Sequence, residues 1–419
     1  MATKYWKISG IAAVAQVTTI QITAYDAGTT YKITCGGIVI STIAQGSVNA
    51  TATALDVAWD ASVHPYISKA TATSATDTVT LTADTAGVPF VVTSSVSGGA
   101  GTIGAATTTT ASAGPSDWST ATNWSDDAVP VDTDTVILRD MSVNIAYGLD
   151  QSSVTLTKFV IEQTYTGKIG LDYRVFATSA DGATTLSTAV EYRTVPLTLD
   201  GVTTLEIGQN PGAGSPAGSG RINLALGTTA SAITVFNTAS APTDSSRNAV
   251  RITATNAANT LDVRSAPGGV GIALDKPNET SQFATITVAD DSTASRVNLG
   301  SGVTLATWKQ LGGTNNINSA GTITTVNVYG GVVTIEGIYT ITTLNLYAGT
   351  VNDNHTSGGN AVTTANLKGG TLNLNDSRVA RTYATTNWYK NTTLDAGSHI
   401  TLTAITVGTD GDDFTLTIT

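Results

Sequence analysis

One internal repeat restricts this chain more than any other feature. Ile323-Thr-Thr-Val-Asn327-Val-Tyr329-Gly-Gly331 is matched by Ile341-Thr-Thr-Leu-Asn345-Leu-Tyr347-Ala-Gly349, and again by Val362-Thr-Thr-Ala-Asn366-Leu-Lys368-Gly-Gly370. The copies begin 18 and then 21 residues apart. Each runs into a second short β-prone segment: Val332-Val-Thr-Ile335, Thr350-Val-Asn352 and Thr371-Leu-Asn-Leu374. A coil of that length cannot bury its apolar face alone and must stack on the next one, so the period predicts a parallel β-helix with two or three short strands per coil.

Alternation assigns the positions. Val326, Val328, Leu344, Leu346 and Leu367 point inward and stack coil on coil. Asn327, Asn345 and Asn366 share one register position, either pointing outward or forming a ladder at a bend in which each amide bonds the next coil. Gly331, Gly349 and Gly370, two of them preceded by another glycine, serve the corners, where positive φ is needed. Looser copies at Val202-Thr-Thr-Leu-Glu-Ile207, Ala284-Thr-Ile-Thr-Val288 and Arg296-Val-Asn-Leu299 extend the array upstream. The turn-rich stretches 208–220, 241–248 and 266–281 between them are expected as lateral loops.

Composition agrees and excludes several classes. Charged residues are only 12% of the 419 residues, and Thr alone is roughly a fifth, as a β-rich chain requires. The formal charge is −11, the wrong sign for wrapping nucleic acid. No apolar run reaches the length of a spanning helix, so no membrane segment is expected. The first residues offer Lys4, Lys7 and a short apolar stretch that Ser9 and Gly10 interrupt, so no signal peptide is expected. The single cysteine, Cys35, permits no internal disulfide and reads as a buried structural thiol.

Residues 1–97 are expected to form a separate small α+β domain. Strands are predicted at 17–25, 31–35 and 37–43, then a helix capped by Ser47 and ended before Pro65, then strands at 70–73, 78–83 and 90–95. Residues 98–115 are rich in Gly, Ala and Thr and read as a linker, lying against something, such as a neighbouring subunit. Trp118 and Trp124, in Trp118-Ser-Thr-Ala-Thr-Asn123-Trp124, then lead into Pro130 and Asp134-Thr-Val136. Two large rings before a repeat array are suited to cover the open end of its first coil, so 116–140 is expected as a cap. The solenoid is assigned to 141–405, and 406–419 to a C-terminal strand or hairpin.

Two resemblances carry the functional expectation. The N-terminal pattern, with Thr30-Tyr-Lys-Ile-Thr34, Val79-Thr-Leu-Thr-Ala83 and Thr85-Ala-Gly-Val-Pro-Phe-Val-Val-Thr93, resembles a small module common in bacteriophage virion proteins. The Trp118 to Val136 segment resembles the entry found ahead of β-solenoids in bacterial surface proteins and phage structural proteins. They imply a mainly β protein, with a small N-terminal α+β domain, a right-handed parallel β-helix with irregular loops and a C-terminal β-hairpin. They also imply a virion structural protein, assembled in the host cytoplasm as a homotrimer that decorates or cements the capsid exterior and contacts the major capsid protein or other virion proteins. The alternative is a tail fibre or tailspike that binds a host glycan through exposed tyrosines, with Tyr329, Tyr347, Tyr339 and Tyr383 as candidates. A bacterial surface adhesin is a third reading.

Catalytic chemistry has little support in the residues. His64, His355 and His399 share no ligand spacing. Asp410, Asp412 and Asp413 surround Gly411 in an acidic turn that lacks the Glu of a calcium-binding EF-hand loop. Glycoside hydrolysis needs two carboxylates ~5–9 Å apart, and Asp172, Asp181, Glu191, Glu206, Asp290, Asp291 and Glu336 show no such pair by spacing. A non-enzyme without metal or cofactor is expected.

Overall fold

The computed structural model describes residues 2–7, 12–174, 177–178, 184–185, 190–209, 221–238, 248–274, 279–289, 297–317, 322–336, 340–354, 361–374, 380–389, 391–396, 400–407 and 416–418. The protein is mainly β. Its dominant element is one long parallel sheet of 24 strands in a solenoid-like stack.

The repeat sets the geometry. Thr322–Val328 lies parallel to Thr340–Leu346, which lies parallel to Ala361–Leu367 and then Arg381–Trp388. Thr324, Thr342 and Thr363 fall outside the paired register, so each strand serves two walls with a bend between them. The short strands Val332–Ile335, Thr350–Asp353 and Gly370–Asn373 stack as a third wall. Apolar residues at alternate positions close the interior: Trp308, Val326, Leu344 and Ala365 follow one another in register, all fully buried. Each Val or Leu side chain so removed from water contributes about 1.5–3 kcal/mol, which is how a stack of weak strands becomes stable.

Corner glycines do what the register requires of them. Gly331, Gly349 and Gly370 have φ of 74°, 81° and 82°, and Gly313 precedes them at 76°. A Cβ on Gly349 would lie 2.5 Å from the carbonyl oxygen of Gly331, so each corner is closed against the one before it.

Upstream, the stack runs through Asp150–Glu162, Leu197–Gln209, Ala232–Val235, Thr260–Val263 and Ser281–Val288. The stretch 266–281 is not wholly a loop: Val270–Ile272 is a strand within the third wall, pairing Val250–Ile252 and Val297–Leu299. Residues 210–220 and 239–247 lie outside the described residues. The C-terminal strands also differ from a hairpin. Ile405–Val407 runs parallel to Thr386–Trp388 and Leu416–Ile418 runs parallel to Leu394–Ala396, so each prolongs a different wall.

The N-terminal module holds two small antiparallel sheets. One pairs Ala70–Ala75, Thr78–Ala83 and Val17–Ala24; the other pairs Ile38–Ile43, Thr30–Cys35 and Val92–Ser97. The helix Val48–Asp60 starts at Ser47, whose hydroxyl accepts the Ala50 amide at 3.1 Å, and it buries Ala52, Leu55 and Trp59 between the strands. Cys35 is free and buried in this core, where burial raises its thiol pKa.

Two expected boundaries change. Residues 98–115 are not a free linker. Thr102–Ile103 and Thr107–Thr110 pair with Val17–Ala24 of the same chain and complete its sheet. Nor do the first residues belong to the module: Thr3–Tyr5 pairs in parallel with Thr135–Ile137, as the outermost rung of the long sheet. The module is therefore inserted between that rung and the rest of the cap, and Val14 N–H donates to Ala113 O at 2.7 Å where its two ends meet.

Candidate functional site

Among the described residues, no three His, Cys, Asp or Glu side chains are grouped so as to hold a metal ion. Glu206 lies against Lys158 at 2.9 Å, and Glu336 accepts from Asn316 at 2.9 Å. Asp181, Asp290, Asp291, His355, His399, Asp410, Asp412 and Asp413 fall outside the described residues. What the coils build instead is a set of outward columns, and these are the candidate functional surfaces.

The asparagine column is both outward and a ladder. Asn345 Nδ2 donates to Asn327 Oδ1 at 2.8 Å, and Asn366 Nδ2 donates to Asn345 Oδ1 at 2.8 Å. A fourth rung, Asn387, donates to Asn366 Oδ1 at 2.8 Å. It sits in Thr385-Thr-Asn387-Trp388, one coil of 21 residues beyond Asn366, where the altered flanking residues disguise the repeat. Thr325, Thr343, Thr364 and Thr385 stand in register two positions earlier. Substitution of Asn345 by Ala is expected to cost about 1–2 kcal/mol, because it strands the Asn327 acceptor and the Asn366 donor in half-buried positions. Urea unfolding of the variant against the parent checks this.

Beyond the asparagines, at the corner, runs a column of larger groups. Tyr329 and Tyr347 stack with ring centroids 4.6 Å apart and planes 1° from parallel. Lys368 lies over the Tyr347 ring at 5.0 Å, and Lys309 approaches the Tyr329 ring at 5.9 Å. Their backbones are in step: Leu311, Tyr329, Tyr347, Lys368 and Tyr389 each donate an amide to the preceding coil's strand, at 2.7–2.8 Å. Lower in the stack, Phe236 and Arg264 hold the equivalent positions, with the guanidinium 4.6 Å from the ring centroid. The two other tyrosine candidates fall elsewhere. Tyr383 points into the stack, buried, and donates to Asp353 Oδ2 at 2.7 Å; Tyr339 lies outside the described residues.

At the cap, Trp118 and Trp124 are fully buried, 4.7 Å apart edge to face, and Trp118 meets Phe159 of an early coil at 5.9 Å. Trp124 Nε1 donates to Trp118 O at 2.9 Å. A third ring is supplied by Trp6, 4.8 Å from Trp124. Nothing local around Trp6 marks it as part of this cluster. Lys4, also buried, anchors the same rung to Asp126 at 2.7 Å, with Asp134 3.8 Å away. Asp117 lies beside the cap, and burial pushes its carboxyl above the usual carboxylate range.

That shift has a sign that can be tested. With the folded pKa raised, the unfolded chain ionises first, so Asp117 contributes stability that is complete below the ordinary carboxylate range and is lost as pH rises through the raised value. Asp117→Asn keeps an acceptor for the Ser119 amide, which the carboxylate binds at 2.8 Å. Thermal melts across the acid range are expected to show this component of pH dependence vanish in the variant.

No family model matches this chain, and no curated protein is significantly similar to it. Among the described residues, no helix is long and apolar enough to cross a membrane.

Proposed function

We propose that this protein is a non-enzymatic structural component of a bacteriophage virion: a homotrimer that decorates or cements the exterior of the capsid. In this reading the inserted α+β module holds the major capsid protein or another virion protein. The stack, with right-handed coils as nearly all parallel crossovers have, projects from the shell or bridges its subunits. The observation that carries the reading is the long parallel stack with Thr and Asn columns along its wall, joined through a tryptophan cap to a compact module. Such a surface suits broad, repeated contact rather than turnover.

Glycan binding by a tail fibre is the competing reading, and the tyrosine geometry weakens it. Sugars stack on the open faces of aromatic rings, but each of these two rings has one face against the other ring and a lysine beside it. Cryo-electron microscopy of particles carrying the protein tests the proposal. Density at symmetric sites over the shell is the expected result; density confined to the tail tip would overturn it.

A further inference from the structure

We infer that the corner column from Leu311 to Tyr389 is the line along which copies of this chain pack side by side. The inference rests on the homotrimer in the function proposed above and names the surface that would make it. Leu311, Tyr329 and Tyr389 are each about two-fifths exposed, at 41%, 42% and 40%. Tyrosine is enriched in interface cores relative to the rest of the surface. They follow one another on successive coils, with Tyr347 and Lys368 between, so five rungs at ~4.8 Å make a straight ridge roughly 20 Å long.

Charge and spacing identify the occupant. The whole chain carries a formal charge of −11, so two copies repel over most of their surfaces. Residues 301–390 depart from that balance, with five Lys or Arg against three Asp or Glu. On the wall before the ridge the described columns present Thr and Asn, with Lys309 on the first coil, while on the wall beyond it Asp395 is the carboxylate in the column of Asn352 and Asn373. The ridge also repeats at the coil spacing, and another stack of the same coils offers a matching repeat along its full length. Lys309 and Lys368 lie near the rings of Tyr329 and Tyr347, which already stack on each other, so these two rings offer mainly their edges. Ring edges of this kind suit a protein partner, whereas a sugar needs a free ring face.

The test uses the full chain and measures its mass in solution by light scattering and sedimentation equilibrium. Wild type is expected at three times 42.6 kDa. Tyr329→Glu combined with Tyr389→Glu is expected at the single-chain mass, with association weakened at least about 100-fold by two buried, facing carboxylates per copy. Both positions are exposed, and circular dichroism with thermal melting verifies that the stack remains folded. Leu311→Glu provides a second variant that leaves the ring stack untouched, with the same loss expected.

Val57→Glu, on the exposed face of the module helix, should keep the wild-type mass. A double variant that stays trimeric overturns the ridge as the contact and leaves the homotrimer standing. A wild-type chain that is monomeric at every concentration overturns both. Loss of binding to a polysaccharide panel with unchanged mass would assign the ridge to glycan instead.

Discussion

Replacement of Asp353 by Ala is expected to destabilise the stack by about 3–5 kcal/mol, among the largest effects available to a single substitution in this chain. Asp353 ends a strand of the third wall, in the inward column where the preceding coils place Ile317 and Ile335. It is fully buried, its Oδ1 pairs with the Arg381 guanidinium, and Tyr383 donates to its Oδ2 at 2.7 Å. Removal of the carboxylate leaves Arg381, itself only 3% exposed, charged and without that counter-ion inside the stack. Arg381→Met should cost a similar amount by removing the guanidinium that neutralises buried Asp353. The informative comparison is the double variant Asp353→Leu with Arg381→Met. Because a buried pair gains little over well-packed apolar groups, the double variant should recover most of the loss. Equilibrium urea unfolding of wild type, Asp353→Leu, Arg381→Met and the double variant decides; a double variant as unstable as the sum of these two singles would show that the cluster is not acting as an ion pair.

The second large effect is expected at the cap. Trp124→Ala should cost about 3–5 kcal/mol, since it removes a fully buried indole packed against both Trp6 and Trp118. Trp6→Ala should approach that value although Trp6 lies more than a hundred residues away in sequence. It should also release the strand Thr3–Tyr5, which hydrogen exchange would report as lost amide protection in Thr135–Leu138. Protection unchanged in the Trp6 variant would mean that the backbone pairing and the polar contacts of Lys4 hold the rung without the indole.

What could be read from sequence follows from how local each signal is. The coils, the inward Val and Leu columns and the glycine corners are legible because their partners lie one period away, so the repeat itself records the contact. The asparagine ladder is legible for the same reason, and its fourth rung is hidden by Tyr383, Thr386 and Trp388 in place of aliphatic residues and by the missing corner glycines. Non-local placements are not legible. The strand Thr3–Tyr5 finds its partner across an entire module, and Thr107–Thr110 looks like low-complexity linker although Val17–Thr19 lies opposite it. Tyr383 occupies an inward column, yet a tyrosine in a Thr-rich strand carries no mark of its direction until the register is known. The Asp353–Arg381 pair escapes because it joins residues of different coils across a stretch of unrepetitive sequence.

The insertion of the module has a consequence in time. A ribosome makes Thr3–Tyr5 well before the strand it must join, Thr135–Leu138, which emerges only after the module has been synthesised. At ordinary rates of synthesis that interval is on the order of ten seconds, long enough for the module to fold on its own while Trp6 still waits in water. Thr3–Tyr5 is thus installed late, and the nascent protein carries an unpaired strand and an uncovered Trp6 indole through the period when neighbouring nascent chains are closest.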